Sequence, residues 1–135
     1  MLDRYTRFGA NRVMGAGILI AEDDAQLRRH LAGFLVGKGL RVLEAADGEQ
    51  AYDVLTAKPD ISLLLSGVKM PGMTGYELVE KALELRPEIK VLMMTAYAAD
   101  HPPPAALKAR EIRTLVKPFE PERLAALVLD MLARP

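Results

Sequence analysis

The chain has 135 residues, enough for one domain with a core of its own, and half of its residues are hydrophobic. Its 18 basic and 18 acidic side chains cancel, which gives no electrostatic reason to expect binding to nucleic acid or to an anionic membrane. The absence of cysteine excludes disulfides and thiolate metal sites, and no apolar run approaches the roughly 20 residues needed to cross a bilayer.

The first 16 residues are polar, contain glycine and follow no helical or strand period. We therefore interpret residues 1–16 as a flexible extension ahead of a single domain at 17–135. Early charges without an apolar stretch behind them do not make a secretory signal, and we expect a cytoplasmic protein.

From Ile18 onward, short apolar runs alternate with segments of helical spacing. Five strands are predicted, at 18–21, 41–45, 61–65, 90–94 and 113–116. Helices are predicted between and after them, at 25–37, 48–57, 75–85 and 121–132, with a weaker one within 98–110. That weaker helix is expected to start at or after Pro103, because proline is tolerated only in a first helical turn. Alternating strands and helices indicate βαβ units and a parallel sheet, so the fold class is α/β.

In a doubly wound sheet, ligands bind beyond the carboxyl ends of the strands. Here those ends carry an acidic cluster, a glycine, a hydroxyl group and a lysine. They are Glu22, Asp23 and Asp24 after the first strand, Gly67 after the third, Thr95 after the fourth and Lys117 after the fifth.

Five segments of the chain form a recognisable series: ILIAEDD, ADGEQA, LLLSGVKMPGMTG, VLMMTAY and LVKPFEP. In this order, and on predicted strand ends, they resemble the receiver domain of two-component response regulators, from residue 17 to the C-terminus. The resemblance implies a flavodoxin-like three-layer sandwich, with a five-stranded parallel sheet in the order 2-1-3-4-5 and five helices.

The resemblance also assigns roles to the residues at the strand ends. Glu22 and Asp23 match the acidic pair that holds a magnesium ion, and paired carboxylates suit this hard cation. Thr95 matches the hydroxyl that binds a phosphoryl oxygen, although a threonine at a strand end can also be purely structural. Lys117 matches the lysine that pairs with the acceptor carboxylate, and the bond after it is typically cis in the family. We interpret Asp24 as the N-cap of the first helix.

Two residues depart from the family pattern. Gly67 stands where the family has the aspartate that accepts the phosphoryl group, and glycine can be neither a nucleophile nor a metal ligand. Ser66 is a poor substitute, because neighbouring strand residues point to opposite faces and a serine phosphate lacks acyl phosphate chemistry. Thr114 takes the place of an aromatic side chain that swings inward on activation.

Lys69, two residues after Gly67, borders the acidic pair in the predicted pocket. Its ammonium group either compensates the charge of Glu22 and Asp23 or points into solvent. With one carboxylate lost, we expect magnesium binding to be possible but weakened in both cases.

The resemblance therefore implies a receiver for phosphorelay signalling that is not phosphorylated, is not an enzyme and works as a protein interaction module. A histidine kinase or an output domain is the expected partner, and the chain is expected to be a monomer or a weak dimer. The family contacts its partners through helix four, strand five and helix five, where we expect Leu107, Leu115, Leu124, Lys108 and Arg123 to lie.

Two other interpretations remain open at the level of the sequence. The chain can be a variant of a normally Asp-phosphorylated, magnesium-dependent receiver, either stand-alone or from a hybrid histidine kinase. A small phosphatase or nucleotide-binding enzyme on the same type of sheet is less favoured. Such an enzyme needs a glycine-rich phosphate loop or a nucleophile after the first strand, where this chain has three acidic residues.

Overall fold

The strands of the computed structural model form one parallel sheet. The structure describes Val13 and residues 15–96, 103–108, 110 and 112–134. The strands are β1 (Gly17–Ala21), β2 (Arg41–Ala45), β3 (Ile61–Gly67), β4 (Lys90–Thr95) and β5 (Arg113–Val116). Their order is β2-β1-β3-β4-β5, and every neighbouring pair is parallel. The predicted α/β class and strand order are confirmed.

Four long helices and one helical turn accompany the sheet in the described part of the chain. The long helices are α1 (Ala25–Val36), α2 (Gly48–Ala57), α3 (Gly75–Leu85) and α5 (Pro121–Ala133), whereas α4 (Ala105–Lys108) is a single turn. Of the five predicted helices, the four strong ones are present, and the weaker one is reduced to a single turn. Helix α4 begins after Pro104, because prolines lack the N–H that a helix interior needs. Part of the segment predicted at 98–110, His101 included, lies outside the described residues.

Helices cover both faces of the sheet, which makes the molecule a three-layer sandwich. Alternate strand residues point to opposite faces, so each strand contributes to two hydrophobic clusters. One cluster joins the sheet to α1 and α5 through Ile18, Ile20, Leu63, Leu65, Leu31, Leu35, Leu124 and Val128. The other joins it to α2 and α3 through Leu19, Leu64, Val91, Met93, Ala51, Leu55, Leu78 and Val79. Burial on both faces explains why β1, β3 and β4 are apolar almost throughout.

The register of the sheet brings the carboxyl ends of four strands to one edge. Ala21 of β1 lies opposite Ser66 of β3, and Gly67 lies opposite Met94 of β4. Thr95, which ends β4, lies opposite Val116, which ends β5. Residues that immediately follow β1, β3 and β5 are consequently neighbours.

The turn after β3 is shaped by its own sequence. Gly72 adopts a φ of 74°, a left-handed conformation that side-chain-bearing residues resist. Thr74 then caps α3: its hydroxyl accepts a hydrogen bond from the Glu77 N–H, and the Glu77 carboxylate accepts one from the Thr74 N–H, both at 3.2 Å. This capping box fixes where α3 starts relative to the end of β3.

Packing begins ahead of the predicted domain start at residue 17. The Val13 side chain is 2% exposed and belongs to the cluster beneath α1 and α5. The Gly15 N–H donates to the Gly39 carbonyl at 3.1 Å, and the Arg41 N–H donates to the Ala16 carbonyl at 3.0 Å. The rest of the predicted extension, residues 1–12 and Met14, lies outside the described residues. Within the described residues, the helices are too short or too polar to cross a membrane.

Candidate functional site

Glu22, Gly67, Thr95 and Lys117 meet at the carboxyl edge of the sheet. The Lys117 Nζ atom lies 2.9 Å from Glu22 Oε1 in a salt bridge between residues 95 positions apart in the chain. The Lys117 backbone N–H donates to the Thr95 carbonyl at 2.7 Å. A Cβ atom built on Gly67 would lie 3.1 Å from the same Glu22 Oε1 atom. The fold thus brings residues from the ends of four strands around a single carboxylate.

Glu22 is the best-anchored polar residue of this group. Its side chain is 2% exposed, and its second carboxylate oxygen, Oε2, accepts a hydrogen bond from the Asp24 N–H at 2.9 Å. Its N–H donates to the Ala45 carbonyl at 3.1 Å, and its carbonyl accepts a hydrogen bond of 2.7 Å from Arg28. A buried carboxylate is costly unless it is paired and hydrogen-bonded, and both oxygens of Glu22 meet that requirement.

Gly67 ends β3 in a buried position beside Glu22. The hypothetical Cβ of residue 67 would be 3.6 Å from Glu22 Cδ and 3.8 Å from the Ala21 carbonyl oxygen. The carboxylate of Glu22 therefore lies in close contact with the place where a side chain at position 67 would begin. The neighbouring hydroxyl of Ser66 is fully buried and donates to the Gly67 carbonyl at 2.9 Å, so it is already engaged within the strand.

Thr95 and Lys117 lie next to each other at the ends of β4 and β5. Thr95 is 3% exposed, and the Lys117 side chain is 30% exposed, with its ammonium directed at Glu22. The peptide bond between Lys117 and Pro118 is cis, as the resemblance implies. The lysine approaches the carboxylate from its partly open side, and Thr95 is buried at the end of the neighbouring strand.

The remaining polar residues near the edge of the sheet have other environments. Asp24 accepts a hydrogen bond from the Leu27 N–H at 3.1 Å, which confirms it as the N-cap of α1. Asp23 is exposed. Lys69 is also exposed, in agreement with the solvent-facing alternative. The cation that contacts the Glu22 carboxylate is Lys117, a pairing that was not predicted from the sequence.

The donor set can be tested against the magnesium site that the resemblance implies. Gly67 offers no carboxylate, and both oxygens of Glu22 accept hydrogen bonds from other groups of the chain. Asp23 is then the one acidic residue of the predicted pair whose carboxylate is exposed. Across the residues that the structure describes, no three His, Asp or Glu side chains are grouped to hold a metal ion. In this arrangement the site does not fit magnesium, and weak binding by Glu22 and Asp23 stays a prediction.

The expected partner surface needs a correction. Leu107, Leu115 and Leu124 are only 3%, 4% and 0% exposed, so the prediction that they form a contact surface is wrong. They pack into the two hydrophobic clusters because their side chains point towards the layers of the sandwich. Arg123 is exposed as expected, and the Lys108 side chain lies outside the described residues.

The exposed residues of the last strand were missed. Val116 is 46% exposed, and Thr114 on the same face of β5 is exposed as well. The signal was present in the sequence, because residues 114 and 116 alternate with the buried Leu115 in a strand. An apolar side chain thus lies open on the edge strand of the sheet.

Comparisons with known proteins agree with this geometry. The family model described as the response regulator receiver domain matches residues 18–129. The response regulator receiver protein CpdR of Brucella abortus is 37% identical over 115 residues, which cover 85% of this chain and 95% of CpdR. The response regulator protein FleR of Pseudomonas aeruginosa is 38% identical over 121 residues, which cover 90% of this chain but 24% of FleR. A solved CheY-like receiver domain protein from Methanospirillum hungatei superposes with a TM-score of 0.78 at 30% identity, covering 87% of this chain and 94% of that one.

Proposed function

This chain belongs to the response regulator receiver domain family, and on that basis we propose that it is a two-component receiver that accepts no phosphoryl group. In this proposal it acts in the cytoplasm as a protein interaction module and not as an enzyme. The observation that carries the proposal is Gly67, which ends β3 beside Glu22 and Lys117, where the resemblance places the acceptor aspartate.

The chemistry of the pocket supports this proposal. Formation of an acyl phosphate needs a carboxylate oxygen as nucleophile at the end of β3. Gly67 has no side chain, the Ser66 hydroxyl is buried and hydrogen-bonded, and the Glu22 carboxylate is bound to Lys117 and to the Asp24 N–H. The groups that could attack a phosphoryl donor at this position are therefore missing or engaged.

The switch element of the family also lacks its usual side chain. Thr114 stands at the position of the aromatic residue that the family moves inward on activation, and here it is exposed on the edge strand. Threonine is β-branched and short, so a change of its rotamer displaces little volume. This supports a receiver that is held in one conformation and recognised by its partner in that state.

For the partner we propose a histidine kinase or an output domain that binds the side of α4, β5 and α5. The accessible groups there are Thr114 and Val116 of β5 and Arg123 of α5, in place of the leucines expected from the sequence. A single exposed aliphatic side chain, Val116, does not make the large apolar patch that a stable oligomer interface needs. We therefore expect the chain by itself to be a monomer or a weak dimer.

Incubation of the chain with acetyl phosphate and magnesium tests the proposal. Intact-protein mass spectrometry should detect no added phosphoryl group, with a receiver that has an acceptor aspartate run in parallel to show that the donor is active. Uptake of an acid-labile phosphoryl group by the unmodified chain would overturn the proposal.

A second candidate function has its own support in the pocket. Glu22 lies beside position 67 and binds Lys117, and the Lys117 backbone is bonded to Thr95, which keeps the residues of a working receiver together. The chain is then a variant of a receiver that is normally phosphorylated on aspartate with magnesium, stand-alone or part of a hybrid histidine kinase. Uptake of a phosphoryl group by a Gly67→Asp variant would show that the rest of the pocket is competent, as this second candidate requires.

A further inference from the structure

The position of the Glu22 carboxylate points to a role beyond that of a family metal ligand. Resting on the proposed function, we infer that Glu22 replaces the missing acceptor carboxylate as the anionic partner of Lys117. The site is then closed by the chain's own side chain and needs neither a phosphoryl group nor a divalent cation.

The first argument for this role is the position of the Glu22 Oε1 atom. Glu22 Oε1 lies 2.9 Å from Lys117 Nζ and 3.1 Å from the place where the Cβ atom of residue 67 would be. The same oxygen therefore receives the lysine and lies in close contact with the place where the absent side chain would begin. A carboxylate on β3 would press against this oxygen and compete with it for Lys117, and Gly67 removes that competitor.

The length of the glutamate side chain explains how it reaches this position. Glu22 follows the last residue of β1, the strand that neighbours β3 in the sheet. An aspartate at position 22 is one methylene shorter, about 1.5 Å less reach, and would leave a gap to Lys117. Glutamate spans the distance while its Oε2 atom keeps the hydrogen bond from the Asp24 N–H.

The salt bridge between Glu22 and Lys117 also disfavours the binding of a metal ion. Glu22 is 2% exposed, and charges interact strongly where little water separates them. The Lys117 ammonium already neutralises this carboxylate, and the lost aspartate leaves the pocket one negative charge poorer than the family's. A magnesium ion would have to displace the ammonium and then find its remaining ligands in Asp23, backbone carbonyls and water.

Removal of the ammonium group provides the test. In Lys117→Met the Glu22 carboxylate is released, and we expect the chain to bind magnesium about tenfold more tightly than the unmodified protein, by isothermal calorimetry. Lys58→Met is the matched control. Lys58 is exposed and precedes β3, so it lies at the amino end of the strands, away from the candidate site. The affinity of this variant for magnesium should equal that of the unmodified chain. Equal affinities for Lys117→Met and Lys58→Met would overturn the inference.

A measurement on the unmodified chain covers the case in which Lys117→Met does not fold. By NMR, the Lys117 ammonium protons should exchange with water more slowly than those of Lys58, because Glu22 holds them. The Glu22 carboxylate carbon should keep its chemical shift when magnesium is added to millimolar concentration. A magnesium-dependent shift of Glu22, or Lys117 exchange as fast as that of Lys58, would overturn the inference.

The outcomes distinguish this inference from the proposed function. If magnesium binds Glu22 readily while acetyl phosphate still transfers nothing, the role of Glu22 is discarded and the unphosphorylated receiver stands. If the unmodified chain takes up a phosphoryl group, the proposed function itself fails, whatever the magnesium titrations show.

Discussion

Gly75, the first residue of α3, is packed directly against the carbonyl group of Gly67, the last residue of β3. A Cβ atom built on Gly75 would overlap the Gly67 carbonyl oxygen and lie 2.9 Å from its carbonyl carbon and 3.0 Å from Met93 Cε. The Gly75 N–H donates to the Val68 carbonyl at 2.8 Å. The start of α3 is thus tied to the strand end that forms the candidate site.

Gly75→Ala should destabilise the protein strongly. The added methyl group meets backbone atoms that cannot rotate away, so α3 or the end of β3 has to move, at a cost of about 2 to 3 kcal/mol. Urea denaturation followed by far-ultraviolet circular dichroism measures the loss, since the chain has no tryptophan to report on unfolding. An unchanged midpoint would show that α3 can shift freely against β3.

Gly33→Ala should have the opposite effect on the free energy of unfolding. Gly33 lies within α1 and is exposed, and a methyl group added to it would have no atom within 4 Å outside its own helix turn. Alanine loses less conformational freedom than glycine when a helix forms, so we expect stabilisation by about 0.5 to 1 kcal/mol. The same denaturation experiment measures it, and a lower stability than that of the unmodified chain contradicts the described environment of Gly33.

Gly67→Asp should gain a phosphoryl group from acetyl phosphate in the presence of magnesium. The new carboxylate lies beside Thr95 and Lys117, and Glu22 has to yield only a few tenths of an ångström to the new Cβ atom at 3.1 Å. Gly67→Asn is the matched control, because it has the same size but no carboxylate nucleophile. Mass spectrometry before and after acid treatment reads out the uptake. Uptake by the aspartate variant alone would confine the loss to position 67, and its absence would extend the loss to Thr114 or other parts of the switch.

Glu22 and Lys117 should stabilise each other measurably. In a double-mutant cycle of Glu22→Gln and Lys117→Met, we expect a coupling free energy of about 1 to 2 kcal/mol, because the pair is in direct contact and Glu22 is buried. The same cycle in the Gly67→Asp background should give a smaller value, since the new carboxylate shares the lysine. Coupling indistinguishable from zero in the original background contradicts the pair as a stabilising contact.

Asp60 should make stability depend on pH in the acidic range. Its hydrogen bond from Arg41 holds the pKa of the carboxyl group below its ordinary value. A lowered pKa in the folded state means that the contribution is present above about pH 4 and is lost as the pH falls through the folded-state pKa. The difference in denaturation midpoint between the unmodified chain and Asp60→Asn should therefore shrink on acidification. Because both side chains are largely exposed, added salt should shrink it too; a difference that grows in acid contradicts the assignment.

Most of the elements could be predicted because their causes are local. The bounds of β2, α2 and α3 agree with the prediction, since hydrophobic periodicity marks their lengths. Strand β3 runs on to Gly67 although its last two residues are not apolar, because Ser66 and Gly67 pair with Met93 and Met94 of β4. That extension depends on a neighbouring strand and not on the composition of β3 itself.

The site was predicted in part, and the limit was the identity of ion-pair partners. Strand order and the positions of strand ends sufficed to bring Glu22, Gly67, Thr95 and Lys117 to one edge. Lys69 was the cation considered for compensating the acidic pair, because it is close in sequence to Gly67. Lys117 makes the contact instead, across 95 positions, since β5 directs it into the space beside Gly67. The choice depended on three-dimensional reach, which spacing along the chain does not encode.

The predicted contact surface was the clearest error. The prediction named helices and a strand without deciding which residues of each point outwards. The resemblance named α4, β5 and α5 as the contact surface, and buried apolar residues of these elements were assigned to the outside. In β5, Leu115 points towards α5 and is buried, whereas Val116 points away and is exposed. Alternation along the strand separates the two without any knowledge of the family.

The salt bridge between Glu22 and Lys117 has a consequence for the timing of a signal. An aspartyl phosphate limits the duration of a signal, because its hydrolysis returns an ordinary receiver to the inactive state. The salt bridge between Glu22 and Lys117 contains no covalent bond that water can hydrolyse. Under the proposed function, the signalling state of this chain is therefore not ended by hydrolysis. Its duration would instead follow the abundance of the protein, set by how fast the cell makes and destroys it.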